Sequence, residues 1–295
     1  MTFKLLFFGY KGWIGSQFIN YLKTQMSESE FANSVILTNV RADNEALVRD
    51  IILAHSPSHI ISFIGRTHGN GINTIDYLEE EGKLVENLRD NLYAPFVLSS
   101  IAEKNNIHYT YIGTGCIYNQ ENPLNKKYLE NDNADFFGSS YSTVKGFTDR
   151  LMKLNNNTLN LRIRMPISSI NNERNFITKI TKYDKICSMP NSMSVLETLY
   201  PIIYDMLKKN YTGTYNLTNP GVISHNEILE MYKEIIDPYF KWTNFTIEEQ
   251  NKILKSKRTN NYLDTTKIEK LYPNLLNIKD AVKKTLIDMN INEYQ

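Results

Sequence analysis

The chain has 295 residues, 33 Lys plus Arg against 32 Asp plus Glu, and a formal net charge of +1. That length holds one large domain or two unequal ones, with a core that needs neither disulfides nor a metal. The even charge argues against a nucleic-acid partner, which calls for a basic excess, and no apolar run approaches the ~20 residues of a membrane span.

Cys116 and Cys187 are the two cysteines, too few for a disulfide framework or a Cys-based zinc cluster. The five histidines fall in no metal-ligand pattern, so no metal site is expected. The first residues lack a signal-peptide cleavage pattern. The chain reads as a soluble cytoplasmic protein.

In chain order, residues 4–8 form a short apolar run that ends at Gly9. Such a run reads as a strand buried on both faces. A helical pattern follows over 14–22, then strand over 35–38 and helix over 46–53. Residues 59–64 read as strand, 76–104 as a long helical region and 108–112 as strand. Helix follows over 140–154 and strand over 159–165. Strands alternating with helices predict a doubly wound parallel sheet with right-handed crossovers. Past Pro166 the rhythm changes: a short helix over 175–183, a longer one over 195–208 and a strand over 213–217. The helix over 225–236 is capped by Ser224, with Glu227 completing a capping box. Residues 244–258 are polar with a helical middle, and 278–289 form a last amphipathic helix.

Gly9, Gly12 and Gly15 make G-x-x-G-x-x-G between the first strand and first helix, with Trp13 and Ile14 inside it. The first glycine permits the tight turn, the second lets backbone approach a pyrophosphate, and the third lets helix and strand pack closely. The phosphate then sits on unpaired N–H groups at the helix start. The fold is therefore α/β and Rossmann-like, with a smaller C-terminal substrate-binding region. Residues 1–165 form the dinucleotide domain, joined by about 194–220, while 166–193 and 221–295 cover the substrate. At the end of the second strand an acidic residue would favour NAD. Thr38-Asn39-Val40-Arg41 has none, and Arg41 suits a 2′-phosphate, so NADP is favoured over NAD.

Tyr141 and Lys145 form Y-x-x-x-K, four apart and so on one helical face. Lys145 can lower the Tyr141 pKa and bind the nicotinamide ribose, while Tyr141 protonates a carbonyl oxygen as hydride arrives. Thr114, at the end of the fourth strand, can hydrogen-bond the same oxygen. This arrangement resembles the extended short-chain dehydrogenase/reductase superfamily, in which Asn91 matches an asparagine supporting the sheet centre.

A closer resemblance runs through Thr114-Gly115-Cys116-Ile117-Tyr118, Arg162-Ile163-Arg164-Met165-Pro166-Ile167-Ser168-Ser169 and Arg174-Asn175-Phe176-Ile177-Thr178-Lys179-Ile180. It continues in Pro190-Asn191-Ser192-Met193, Thr218-Asn219-Pro220-Gly221 and the block Ser224 to Tyr232. These blocks resemble the bifunctional nucleotide-4-keto-6-deoxyglucose 3,5-epimerase/4-reductases of nucleotide-rhamnose synthesis, over nearly the whole chain. The resemblance implies a nucleotide-sugar substrate (UDP or dTDP), NADPH as cofactor, and Cys116 with Lys179 as the proton-transfer pair for C3 and C5. A thiol and a buried lysine can both exchange protons near neutral pH. It further implies Thr67 near the substrate and Arg258 as a fork on the diphosphate, and Asn175 reads as a diphosphate or sugar contact. A homodimer is the superfamily default. His68 lies on the loop that lines the site, while His55, His59, His108 and Cys187 read as structural. Two rivals stay open: a plain 4-keto reductase, and a non-catalytic NADP-binding regulatory subunit.

Overall fold

The computed structural model describes residues 3–120 and 122–293. Its central sheet has six strands: Leu5–Phe8, Val35–Leu37, His59–Ser62, His108–Thr114, Thr158–Ile163 and Gly213–Asn216. Their spatial order is second, first, third, fourth, fifth, sixth, with every pair parallel. The chain leaves the first strand on one side and returns to the third on the other. A crevice therefore opens between those two, at their carboxyl ends.

All four residues of the first strand are buried, because both faces of the sheet are covered. Leu5 and Phe7 join one core with Phe18, Ile61 and the helix Leu196–Lys208. Leu6 and Phe8 join another with Val97, Leu98 and Ile101 of the helix Ala94–Lys104. Each such side chain contributes about 1.5–3 kcal/mol through burial. A third core gathers Ile167, Ile177, Ile186, Ile228 and Val282 under the C-terminal part of the chain. Its helix His225–Ile235 starts with the reciprocal Ser224 and Glu227 cap. Among the described residues no helix is long and apolar enough to cross a membrane.

Two expected helices differ. The region read as one helix over 76–104 breaks into a 3-10 turn Ile75–Glu79, a helix Leu84–Leu88, a π turn Arg89–Tyr93 and the helix Ala94–Lys104. Gly82 at φ +75° interrupts the first part, and the π turn widens the backbone around Asn91. The helix expected over 175–183 is Phe176–Ile180, with Asn175 as its N-cap.

Candidate active site

Backbone shape dictates the glycine loop. Gly9 has φ +77°, and a Cβ there would stand 2.9 Å from the Phe63 carbonyl carbon. A Cβ on Gly15 would collide with the Gly9 carbonyl oxygen. Gly12 caps the helix Trp13–Gln25 with no side chain, and the first turn holds no acid. The positive helix end thus faces the crevice uncovered, as a dinucleotide diphosphate requires. Trp13 and Ile14 pack against the first core.

Past the second strand, Arg41 donates to Asp43 at 2.8 Å and to Asp90 at 3.1 Å. Asp90 also accepts from Arg66 at 2.9 Å and Arg89 at 3.0 Å. Burial works to raise the Asp90 carboxyl, but the arginine hydrogen bonds outweigh it and hold its pKa below the ordinary value. Glu86, held by Lys83 at 2.6 Å, also lies 4.0 Å from Arg66, so the charges of this corner nearly balance.

Asn91 steadies the next loop. Its Oδ1 accepts the Arg66 N–H at 3.0 Å, and its Nδ2 donates to the Arg66 carbonyl at 2.8 Å. The Thr148 hydroxyl then donates to the Asn91 carbonyl at 2.6 Å, tying the π turn to the Tyr141 helix.

Tyr141 opens the helix Ser140–Met152, whose start Ser139 caps by accepting the Ser142 N–H. Burial, reinforced by the neighbouring Cys116, raises the Tyr141 pKa, and a hydrogen bond with Thr114 opposes the rise. Thr114, Cys116 and Tyr141 therefore share one small volume. Lys145 sits one turn along the same helix. Its ammonium donates to the buried Tyr111 hydroxyl and lies 4.5 Å from that ring's centroid. Burial pushes the Lys145 pKa down to about 8, against the pull of Asp149 and Cys116. Tyr141, with its raised pKa, keeps its proton as a general acid must.

Lys179 belongs to a second group, with Arg174, His68 and Arg258. Burial lowers the Lys179 pKa, and the nearby Arg174 and Arg258 lower it further. Arg174 meets His68 Nε2, and burial with Arg174, Arg66 and Lys179 keeps His68 below its ordinary pKa. Thr67 stands within 3.2 Å of His68 Nδ1 on the same loop. Arg258 is held, not free: it grips Asp76, with Nη2 to Oδ2 at 2.6 Å. Burial alone would raise the Asp76 carboxyl, but Arg258 and Ser256 hold it down at about 2.

Asn175 departs from expectation. It is fully buried, its Nδ2 donates to the carbonyls of Ser168 and Ile170 at 2.6 and 3.1 Å, and its Oδ1 accepts the Ile177 N–H. Its amide is spent on capping the helix that carries Lys179, so it orients that lysine and has nothing left for a substrate. The residues that the sequence reading passed over are Tyr111, Arg174, Asp76 and Arg164. Arg164 had a visible signal: a charged residue just past a buried apolar strand. Arg174 lay inside a quoted block, whereas the Tyr111 and Asp76 contacts span 34 and 182 positions and left no local trace.

No family model matches the chain. It is 49% identical over 294 residues to the protein L780 of Acanthamoeba polyphaga mimivirus, covering 98% of this chain and all of that one. The crystal structure of that protein, a UDP-rhamnose synthase, superposes with a TM-score of 0.92 over 97% of this chain and 99% of the other. A bifunctional dTDP-4-dehydrorhamnose 3,5-epimerase/reductase of Arabidopsis thaliana is 40% identical over 98% of this chain and 94% of its own length. A dTDP-4-dehydrorhamnose reductase from Bacillus anthracis, in complex with NADP, shares the fold at a TM-score of 0.78 and 15% identity, covering 98% of this chain and 100% of that one. With the cradle, the Thr114–Tyr141–Lys145 set and these relatives together, the chain belongs to the nucleotide-rhamnose synthase family of bifunctional 3,5-epimerase/4-reductases.

Proposed function

We propose that the chain converts a nucleotide-linked 4-keto-6-deoxyglucose to the nucleotide-L-rhamnose, by epimerisation at C3 and C5 and reduction at C4. The single observation that carries this reading is the grouping of Cys116 with Thr114 and Tyr141. A plain reductase has no use for a thiol there, and a regulatory subunit has no use for the set.

Protons at C3 and C5 are acidic because they lie α to the C4 ketone. Thr114 and Tyr141 hydrogen-bond the C4 oxygen and stabilise the enolate as charge develops. Cys116 and Lys179 remove and return the α protons on opposite faces of the ring. The low pKa of Lys179 suits this, since a lysine of ordinary pKa gives up its proton too reluctantly. Tyr141 then protonates the C4 oxygen during reduction, with Lys145 positive beside it. The nicotinamide cofactor, when bound, supplies the hydride to C4. Gly9, Gly12 and Gly15 leave room for its diphosphate, with Trp13 and Ile14 presenting the N–H groups of the first turn. Arg41, more than half exposed just past the second strand, supports NADPH over NADH.

Thr67, Arg174 and Arg258 form the substrate-facing polar wall, with Arg258 prepaid in position by Asp76. UDP is favoured over dTDP, on the strength of the relative described as a UDP-rhamnose synthase. The part of the chain built on the first two cores takes the dinucleotide, and the part built on the third takes the sugar end. The exposed Leu84, Val85, Phe96 and Phe147 lie on neighbouring helices and support a homodimer through that face. A thiol that must stay reduced to exchange protons supports a cytoplasmic setting.

The test is to incubate the protein with UDP-4-keto-6-deoxyglucose and NADPH in D2O and read the product by NMR. A rhamnosyl product carrying deuterium at C3 and C5 is the expected result. An unepimerised 6-deoxy sugar would leave a reductase only.

A further inference from the structure

Two arginines lie at the end of the fifth strand, two positions apart, and both are out of solvent: Arg162 at 0% and Arg164 at 1% exposure. Arg162 has its counter-charge. Its Nε and Nη2 each donate to an Asp149 oxygen at 2.8 Å. Arg164 has no such partner. Its Nη1 donates to Thr259 Oγ1 at 2.6 Å and to Cys116 Sγ at 3.2 Å. Its Nη2 donates to Asn191 Oδ1 at 2.6 Å and to the Thr259 carbonyl at 2.5 Å, and its Nε is buried without a partner. The threonine and asparagine acceptors are neutral. Among the described residues no carboxylate comes within ion-pair distance of Arg164.

A buried charge is normally paired, because removing it from water unpaired is costly. Arg164 has one neighbour able to carry the opposite charge, the sulfur of Cys116. The sheet fixes their spacing. Thr114 pairs with Ile163, the Gly115 N–H donates to the Ile163 carbonyl at 3.0 Å, and Ser194 brackets Arg164 by accepting its N–H and donating to its carbonyl. The other ionisable groups facing Cys116 are the Tyr141 hydroxyl and the Lys145 ammonium. His225 lies behind Arg164, and burial drives its pKa down to about 4, so it is uncharged and brings no counter-charge.

We propose that Arg164 is a positioning residue that holds Cys116 as a thiolate, so that the sulfur is in its proton-accepting form before substrate arrives. The inference rests on the reading of Cys116 as a proton-transfer group. It gives the epimerase half of the site its own cation, separate from the Lys145 that serves reduction. In the step itself the ring C–H bond breaks and an S–H bond forms. The electron pair moves to the C4 oxygen, and Arg164 is left beside a neutral thiol.

The test is the alkylation rate of Cys116 in the unmodified protein with iodoacetamide, followed by peptide mass spectrometry from pH 6.5 to 8.5. A free thiol of ordinary pKa is about 1% thiolate at pH 6.5, so its rate climbs about 50-fold over that range. The proposal expects Cys116 to change less than about threefold. A climb of about 50-fold overturns it. Arg164→Met should restore the steep climb and slow deuterium wash-in at C3 and C5 at pH 6.5, with Arg164→Lys recovering part of both. If Arg164→Met fails to fold, the profile of the unmodified protein still decides. Deuterium wash-in that survives in Cys116→Ala would remove the proton-transfer reading itself, and the alkylation profile would still report on Arg164.

Discussion

The Lys145 ammonium donates to the Tyr111 hydroxyl on the fourth strand, not to Tyr141 one helical turn away. Both partners are buried, so the lysine keeps its charge against the environment. Burial lowers its pKa to about 8. The charged form is the one that serves reduction, and it is lost as pH rises through that value. The reductase kcat/KM for NADPH, which reports the free enzyme, should fall above about pH 8. Tyr111→Phe removes the acceptor and should move that alkaline limb to lower pH. An unmoved limb would mean that Tyr111 does not support the charge.

Gly15→Ala should abolish NADPH binding and lower stability by about 1–3 kcal/mol, because the new Cβ overlaps the Gly9 carbonyl and must push helix from strand. Gly12→Ala meets that same oxygen at 3.3 Å, so it should fold well and lose affinity. Fluorescence titration with NADPH, beside urea unfolding, separates the two outcomes.

The Asn91 amide closes two hydrogen bonds to one residue, Arg66, at the start of the loop beside the active site. Asn91→Ala removes both bonds to the half-buried Arg66 backbone and leaves the buried Asn87 Oδ1 without this donor, the last at a cost of about 1–3 kcal/mol. Urea unfolding should show the loss, and kcat should fall with it. Unchanged stability would show that water replaces the amide.

Acid should destabilise the protein through its buried histidines. Burial lowers the pKa of both His59 and His225 to about 4, with His108 adding to the effect at His59. The unfolded chain takes up these protons near pH ~6.5, while the folded one resists until about pH 4. The folded state is therefore favoured in full above pH ~6.5, and that share is lost as pH falls toward 4. Urea midpoints at pH 7 and 4.5 should differ, and His59→Asn should narrow the gap. A flat profile would contradict buried neutral histidines.

The sequence carried much of this because local patterns encode it. The run Leu5 to Phe8 against Gly9, Gly12 and Gly15 specifies strand, turn and helix within eleven residues. Tyr141 and Lys145 share a helical face whatever the tertiary context. What the sequence did not carry depends on contacts between distant segments. Asn175 looked like a polar group for substrate, yet its position before a short helix makes it a cap. Arg258 looked free, yet Asp76 waits 182 positions earlier. The helix over 76–104 looked continuous, although Gly82 marks its first break; the π turn around Asn91 has no such residue to mark it.

The central claim is that one crevice holds two separable chemistries, proton traffic through Cys116 and Lys179 and reduction through Thr114, Tyr141 and Lys145. The most direct measurement gives Cys116→Ala two substrates: the unepimerised 4-keto sugar in D2O, and the epimerised 4-keto sugar with NADPH. Deuterium wash-in at C3 and C5 should fall by about 10²–10⁴, the usual worth of a positioned acid or base. NADPH oxidation with the epimerised sugar should persist. Loss of both activities together, or of neither, would contradict the division.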